Sequence, residues 1–241
     1  MPLVEKSRAI VLHTTRQGDR ALVLTVLDGK SGRCGYFLRR VGKGGTSAFH
    51  NLNVLDVVIS TSPSASLPTL REYAPLFSFD SLRSSLSKSS VALFICEVLY
   101  RGLRSGDGDG TLFDFMVESI VKLDAVKGQA ANFHLWWLAG FCYRMGFRPE
   151  DNWSEDAPLF DIITARFIPL YASQGKDSVF SAEDSLLLHR LVSMDLEEAL
   201  ALPLSAVRRQ SFTRRMLDYL SYHLGQRLEI RSLDVLHAVF A

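Results

Sequence analysis

Over the first 80 residues apolar and polar positions alternate in short runs, divided by glycine, proline, aspartate and serine. Period-two alternation with β-branched and aromatic residues is the pattern of half-buried strands. It predicts five of them, at 8–14, 20–28, 32–39, 51–61 and 69–77. The breaks carry turn chemistry: Gln17-Gly18-Asp19, Asp28-Gly29-Lys30-Ser31-Gly32, Gly42-Lys43-Gly44-Gly45 and Ser62-Pro63-Ser64. Strands two and three read as a hairpin about Asp28-Gly29. With no helix among them to cover a flat sheet, five short strands predict a small closed barrel, because closure removes the exposed edges. An OB-fold is the leading expectation and an SH3-type barrel the alternative.

Near residue 80 the period lengthens to that of a helix. Asp80 is placed to cap a helix over 81–104, with Leu82, Leu86, Val91, Phe94, Ile95, Val98 and Leu99 at helical spacing. Further helices are predicted at 111–126 and 130–147, the latter apolar on most sides and therefore central. Residues 148–178 are turn-rich, with a short strand pair around 159–169. Ser181 followed by Asp184 suits a capping box, and the last helices fall at 203–225 and 232–240. The expected architecture is α+β in series: a five-stranded barrel domain over 1–80, then an all-helical domain over 81–241.

Composition adds little beyond this. A chain of 241 residues, 47% hydrophobic and 22% charged, fits one large or two modest globular domains and excludes a disordered or collagen-like chain. The most apolar run, 91–100, is interrupted by Glu97, and only residues 10–12 are apolar between the basic N-terminus and His13, too few for an export signal. Three distant cysteines, Cys34, Cys96 and Cys142, exclude a disulfide scaffold and do not make zinc-ligand pairs. The expectation is a soluble cytoplasmic protein with no bound metal or cofactor.

Candidate catalytic motifs fail one by one. Asp28-Gly29-Lys30-Ser31 resembles the end of a phosphate-binding loop, but the required earlier glycine is Leu24 and no helix follows. Gly42-Lys43-Gly44-Gly45 lacks a dinucleotide fingerprint, its third glycine position being Ser47. Asp107-Gly108-Asp109 with Glu118 has Leu112 where a calcium loop needs glycine. No nucleophile elbow, metalloprotease helix or compact carboxylate–histidine group is present, and His134, on an apolar helix, reads as a core histidine. A non-enzyme is expected.

Charge is more informative. The formal net charge is only +1, yet residues 1–50 carry nine basic and three acidic side chains, 151–200 three basic and ten acidic, and 206–231 six basic and two acidic. Arg16 and Arg20 flank the first turn, Lys30 and Arg33 the second, and Arg39, Arg40 and Lys43 lead into the third. Cations at the turns of one small barrel, with Tyr36 or Phe37 facing outward, are the pattern of a groove that tracks phosphates and stacks bases. These seven residues are the candidate DNA-binding set.

At this point the chain resembles the RecO family of bacterial recombination mediators, in its Bacteroidetes-type form. The resemblance rests on 7–13 (SRAIVLH), 14–28, 32–40, 70–75 (LREYAP), 92–101 (ALFICEVLYR), 112–121, 131–149 (ANFHLWWLAGFCYRMGFRP), 159–167 and 232–240. It implies an N-terminal OB domain, a helical C-terminal domain, and binding and annealing of single- and double-stranded DNA in DNA repair. It also implies location with the bacterial nucleoid, partnership with RecR, and docking on the C-terminal tail of single-strand-binding protein to load recombinase on gaps. Many relatives carry a four-cysteine zinc motif after the segment matching Gly146–Pro149; here Glu150-Asp151-Asn152-Trp153 follows, so zinc is not expected. An acidic, Phe-ended tail needs a cation for its carboxylate and an apolar slot. Arg101, Arg104 and Arg144 are the candidates, in a groove between the first and third helices. The alternative reading is a protein-interaction adaptor whose barrel mainly docks repair partners.

Overall fold

The alternating runs become strands because each places one row of β-branched and leucine side chains on a common interior. In the computed structural model, which describes residues 3–18, 21–41, 46–128 and 130–241, these are β1 (Leu3–Gln17), β2 (Ala21–Asp28), β3 (Gly32–Leu38), β4 (Val54–Thr61) and β5 (Thr69–Pro75). They close into a barrel in the order β1-β2-β3-β5-β4, antiparallel throughout except for a parallel bridge from Phe37 to Thr69. Ala9, Val11, Leu22, Leu24, Val26, Tyr36, Leu38, Leu55, Val57, Ile59 and Leu70 fill it. β1 is longer than the 8–14 expected. Its first half pairs with β4 and its second half with β2, across an irregularity between Val11 and His13. One strand thus serves both neighbours and closes the sheet.

The β2–β3 turn is anchored by a buried carboxylate. Asp28, 1% exposed, accepts the amides of Lys30 and Ser31, each at 2.8 Å, and the Tyr36 hydroxyl at 2.6 Å. Burial alone would raise its pKa, but these hydrogen bonds outweigh burial and hold the carboxyl below its ordinary range. Removing the hydroxyl in Tyr36→Phe leaves one carboxylate oxygen without its partner inside the barrel wall. Urea unfolding should show a loss of about 1–2 kcal/mol. A variant as stable as the parent would mean that the bond contributes nothing net.

The predicted helix over 81–104 is two helices, α1 (Asp80–Ser84) and α2 (Leu86–Gly102). Ser85 takes an extended conformation (φ −95°, ψ 118°) and caps α2 through its side chain. The expected cap, Asp80, is instead the first residue of α1, whose N-cap position is Phe79. Asp109 caps α3 (Gly110–Ala125), its carboxylate accepting from the amide of Leu112. α1–α3 pack with the barrel: the Cys96 thiol donates to the carbonyl of Leu12 at 2.9 Å, and the α2–α3 loop hydrogen-bonds the start of β3. The change from strands to helices falls near residue 80, whereas the compact units divide at Val126 and Lys127.

The second unit is built around α4 (Phe133–Arg144), which buries Phe133, His134, Leu135, Trp137, Leu138, Phe141 and Cys142. A hairpin of β6 (Leu159–Asp161) and β7 (Arg166–Ile168) and the helices α5 (Ala182–Ser193), α6 (Leu196–Ala201), α7 (Ala206–His223) and α8 (Ser232–Val239) complete it. Ser181 caps α5 by accepting from Asp184, whose carboxylate returns to the Ser181 hydroxyl rather than to its amide. The reciprocal capping box is found at α6, between Asp195 and Glu198, a helix that the hydrophobic pattern did not mark. Asn132 ties the carbonyls of Ala199 and Leu202 to the start of α4 at 3.1 and 3.0 Å. No helix among the described residues is long and apolar enough to cross a membrane.

Candidate nucleic-acid interface

Strand register sorts the seven candidate cations. Arg16 stands opposite Leu22, and Leu22 opposite Leu38, so the three lie abreast at one end of the barrel. Arg39 and Arg40 follow Leu38 directly and are exposed, as is Arg16. These three gather at one end. Arg20 and Lys43 lie outside the described residues.

Alternation also settles which β3 aromatic faces outward. Tyr36 points into the barrel, and Phe37, half-buried, lies on the outer face beside Val23 and Thr15. The next outer row is Gly35, Thr25 and His13. A Cβ added at Gly35 would sit 3.0 Å from Leu67, so the β4–β5 loop folds over this glycine. The Phe37 amide donates to the carbonyl of Pro68 in the same loop at 2.8 Å. The outer face of β2 and β3 therefore carries Phe37 and Val23, then Gly35 and Thr25, edged by that loop and running to the Arg16, Arg39 and Arg40 end. His13 of the same face packs against Tyr100 of α2 with ring centres 4.7 Å apart.

Lys30 and Arg33 belong to the opposite end. The pair Asp28–Gly32 is six residues along the ladder from Leu22–Leu38, about 20 Å at the rise of a strand. The Lys30 ammonium donates to the carbonyl of Lys6 at 2.6 Å. The Arg33 amide donates to the carbonyl of Asp107 at 2.7 Å, and its guanidinium lies 5.5 Å from the centre of the Tyr100 ring. Lys6 and Arg8, which were not in the candidate set, join Lys30 around a cleft of about 290 Å³ that also includes Asp56. Period-two spacing puts both on one face of β1, a signal already present in the sequence. Arg8 is partly engaged, at 3.6 Å from Asp114 and 5.3 Å from the Phe113 ring centre.

The tail-binding candidates fall in two different units. Arg101 is held by Glu97, Nε to Oε1 at 2.6 Å, the i,i+4 pair its spacing suggests. Arg104 lies beyond the end of α2, not in its last turn as expected, and its amide donates to the Asp107 carboxylate at 2.6 Å. Both belong to the first unit and Arg144 to the second. Arg144 ends α4 with its guanidinium 5.0 Å from the Tyr143 ring centre.

The remaining titratable groups are structural in character. Burial pushes the Cys34 thiol up to about 11 and the Cys96 thiol up to about 12, and raises that of Cys142 as well. Buried thiols raised in this way have the character of packing groups rather than nucleophiles. Among the described residues no three His, Cys, Asp or Glu side chains gather in a metal-ligating group. His134, as the sequence suggested, is a core histidine, 1% exposed, with Nε2 2.9 Å from the Thr213 hydroxyl.

Comparison with known proteins matches this architecture to one family. The family model for the recombination protein O C-terminal region matches residues 83–232. A relative named DNA repair protein RecO from Phocaeicola vulgatus is 28% identical over 244 residues, 99% of this chain and 100% of its own. A protein of the same name from Porphyromonas gingivalis is 29% identical over 242 residues, covering 97% and 98% of the two chains. One from Flavobacterium psychrophilum is 25% identical over 98% and 99%. The match of most of the helical part, together with relatives aligned end to end, shows that this chain belongs to the RecO family.

Proposed function

We propose that the protein is a DNA-binding recombination mediator in DNA repair, acting without catalytic turnover. In this reading it binds and anneals single strands and helps load recombinase on gaps coated by single-strand-binding protein. The observation that carries the reading is the basic end formed by Arg16, Arg39 and Arg40, beside the outward Phe37. The barrel is then an OB-fold. Its strand order, β1-β2-β3-β5-β4, and its ligand face on β2 and β3 between the first and last loops are those by which such barrels hold oligonucleotides. Phosphates would lie on the arginines while a base meets Phe37.

The expected result is salt-dependent affinity for a bare single strand. With about five phosphate contacts, log affinity should fall against log salt with a slope of about −3.5. Arg39→Ala with Arg40→Ala should lower affinity and make that slope shallower by about 1.4, with an unchanged thermal midpoint. An unaltered affinity and slope would remove both residues from the site. Affinity only for protein-coated strands would favour the adaptor reading. RecR and the tail of single-strand-binding protein are the partners this reading carries. Titration of an acidic, Phe-ended peptide against Arg101→Ala, Arg104→Ala and Arg144→Ala tests the tail separately, and equal binding by all three excludes them.

A further inference from the structure

Arginines also meet an exposed ring in the second unit. At the end of α4, Tyr143 is 53% exposed, and two guanidiniums converge on its ring, Arg144 at 5.0 Å and Arg148 at 5.3 Å from the centre. Glu150, two residues beyond Arg148, is engaged by Arg166 at 2.7 Å instead. Both guanidiniums thus lie against one exposed ring, and a guanidinium can hold an oxyanion such as a phosphate by charge-assisted hydrogen bonds.

The surroundings extend the same surface. Phe147, between Tyr143 and Arg148 in the chain, stacks on His223 at 5.4 Å and meets Tyr219 edge-on at 6.2 Å. His223 in turn meets Tyr222, which is 52% exposed, at 5.2 Å. Ring contacts therefore tie Phe147, just beyond α4, to the C-terminal end of α7, and each of these two helix ends carries an exposed tyrosine, Tyr143 and Tyr222. A helix C-terminus favours cations, which accounts for an arginine in the last turn of α4. It does not account for a second one, beyond the helix, on the same exposed ring.

We propose that this end of the second unit is a further contact for single-stranded DNA, in which Arg144 and Arg148 hold phosphates and Tyr143 receives a base. Guanidiniums beside an exposed ring are the combination by which strands are bound without sequence preference. An anionic peptide would meet the arginines equally well. The exposed Tyr143 ring beside both guanidiniums favours a polymer that brings flat bases together with regularly spaced phosphates. The inference rests on the reading that the protein binds single strands.

The experiment is binding of a long labelled poly(dT) strand to the full chain at several salt concentrations. Arg144→Ala with Arg148→Ala should lower affinity about tenfold and make the salt slope shallower by about 1.4, the share of two phosphates. Tyr143→Ala should lower affinity with little change in slope, since stacking releases no counterions. Arg144→Lys with Arg148→Lys should keep the slope while losing part of the affinity, because ammonium groups hold phosphate without presenting a plane. Circular dichroism should report intact folding in every variant. Arginine variants that bind poly(dT) like the parent overturn the proposal. So does loss of an acidic, Phe-ended peptide with DNA binding unchanged, which would make the surface a peptide site. A parent that binds no single strand at all defeats the functional reading itself. A binding parent with indifferent variants defeats this inference alone.

Discussion

Gly32→Ala should destabilise the first unit by about 3–5 kcal/mol, the sum of a left-handed backbone and a clash that no side chain can relieve. Gly32 opens β3 with φ +64°, and a Cβ there would lie 2.4 Å from the carbonyl oxygen of Asp107, 2.6 Å from that of Gly108 and 2.8 Å from that of Gly106. All three contacts are backbone, so the β2–β3 turn and the α2–α3 loop would have to part. Their separation would break the hydrogen bonds from Arg33 to Asp107 and from Gly106 to Arg33, at 2.7 and 2.8 Å. Gly18→Ala is the control. Its φ is +65°, but a Cβ there meets nothing within 4 Å, so only the backbone cost of about 1 kcal/mol applies. The three tryptophans, Trp136, Trp137 and Trp153, lie in the second unit, so the loss should be followed by circular dichroism rather than by tryptophan emission alone. Equal stability of the two alanine variants would show that the turn and loop are not locked together.

Acid should loosen the second unit through His134. Burial, reinforced by the nearby Arg209 charge, lowers the His134 imidazole to about 3. The native state therefore keeps it neutral, whereas the unfolded chain protonates it near 6.5. Stability from this group is full above about pH 6.5 and declines as pH falls toward 3, because the unfolded state then binds the extra proton. At roughly 1.4 kcal/mol per unit, about 2 kcal/mol should be gone by pH 5, and several kcal/mol by pH 3. Trp137 lies on the same helix, so urea unfolding followed by tryptophan emission at pH 7.5 and pH 5 reads the effect. His134→Phe should flatten the dependence between those two values, even if it lowers stability at both. A variant whose stability falls with pH as steeply as the parent's would assign the acid sensitivity to other groups, such as His237, whose pKa burial also lowers.

The elements legible in the sequence are those whose signal is local. Five strands were marked by period-two alternation, since each strand must bury one row of side chains and leave the other row elsewhere. The centrality of α4 was visible because a helix apolar on most sides has nowhere else to go. Cation density in the first 50 residues points to a polyanion independently of geometry. Family likeness, spread over the whole chain, added the expected domain order and partners.

What the alternation left open was set by pairing across the chain. The same basic residues look like one cluster along the sequence, yet β2 and β3 carry Lys30 and Arg33 about 20 Å from Arg39 and Arg40. A hairpin places its turn and its open end at opposite ends of the strands, and distance along the chain does not record that. The choice of Phe37 over Tyr36 as the outward ring followed from the barrel's interior and from the buried Asp28 that receives the Tyr36 hydroxyl. Ser85 divided a helix that its hydrophobic spacing made continuous, because a side-chain cap can close one helix and start the next at little cost. The convergence of Arg144 and Arg148 on Tyr143 arises where a helix ends and the chain turns back. By itself the sequence determined where most of the strands and the longer helices lie, since burial periodicity is written residue by residue. Which cations and rings share a surface was decided only in the tertiary structure, because that depends on register and on where each element stops.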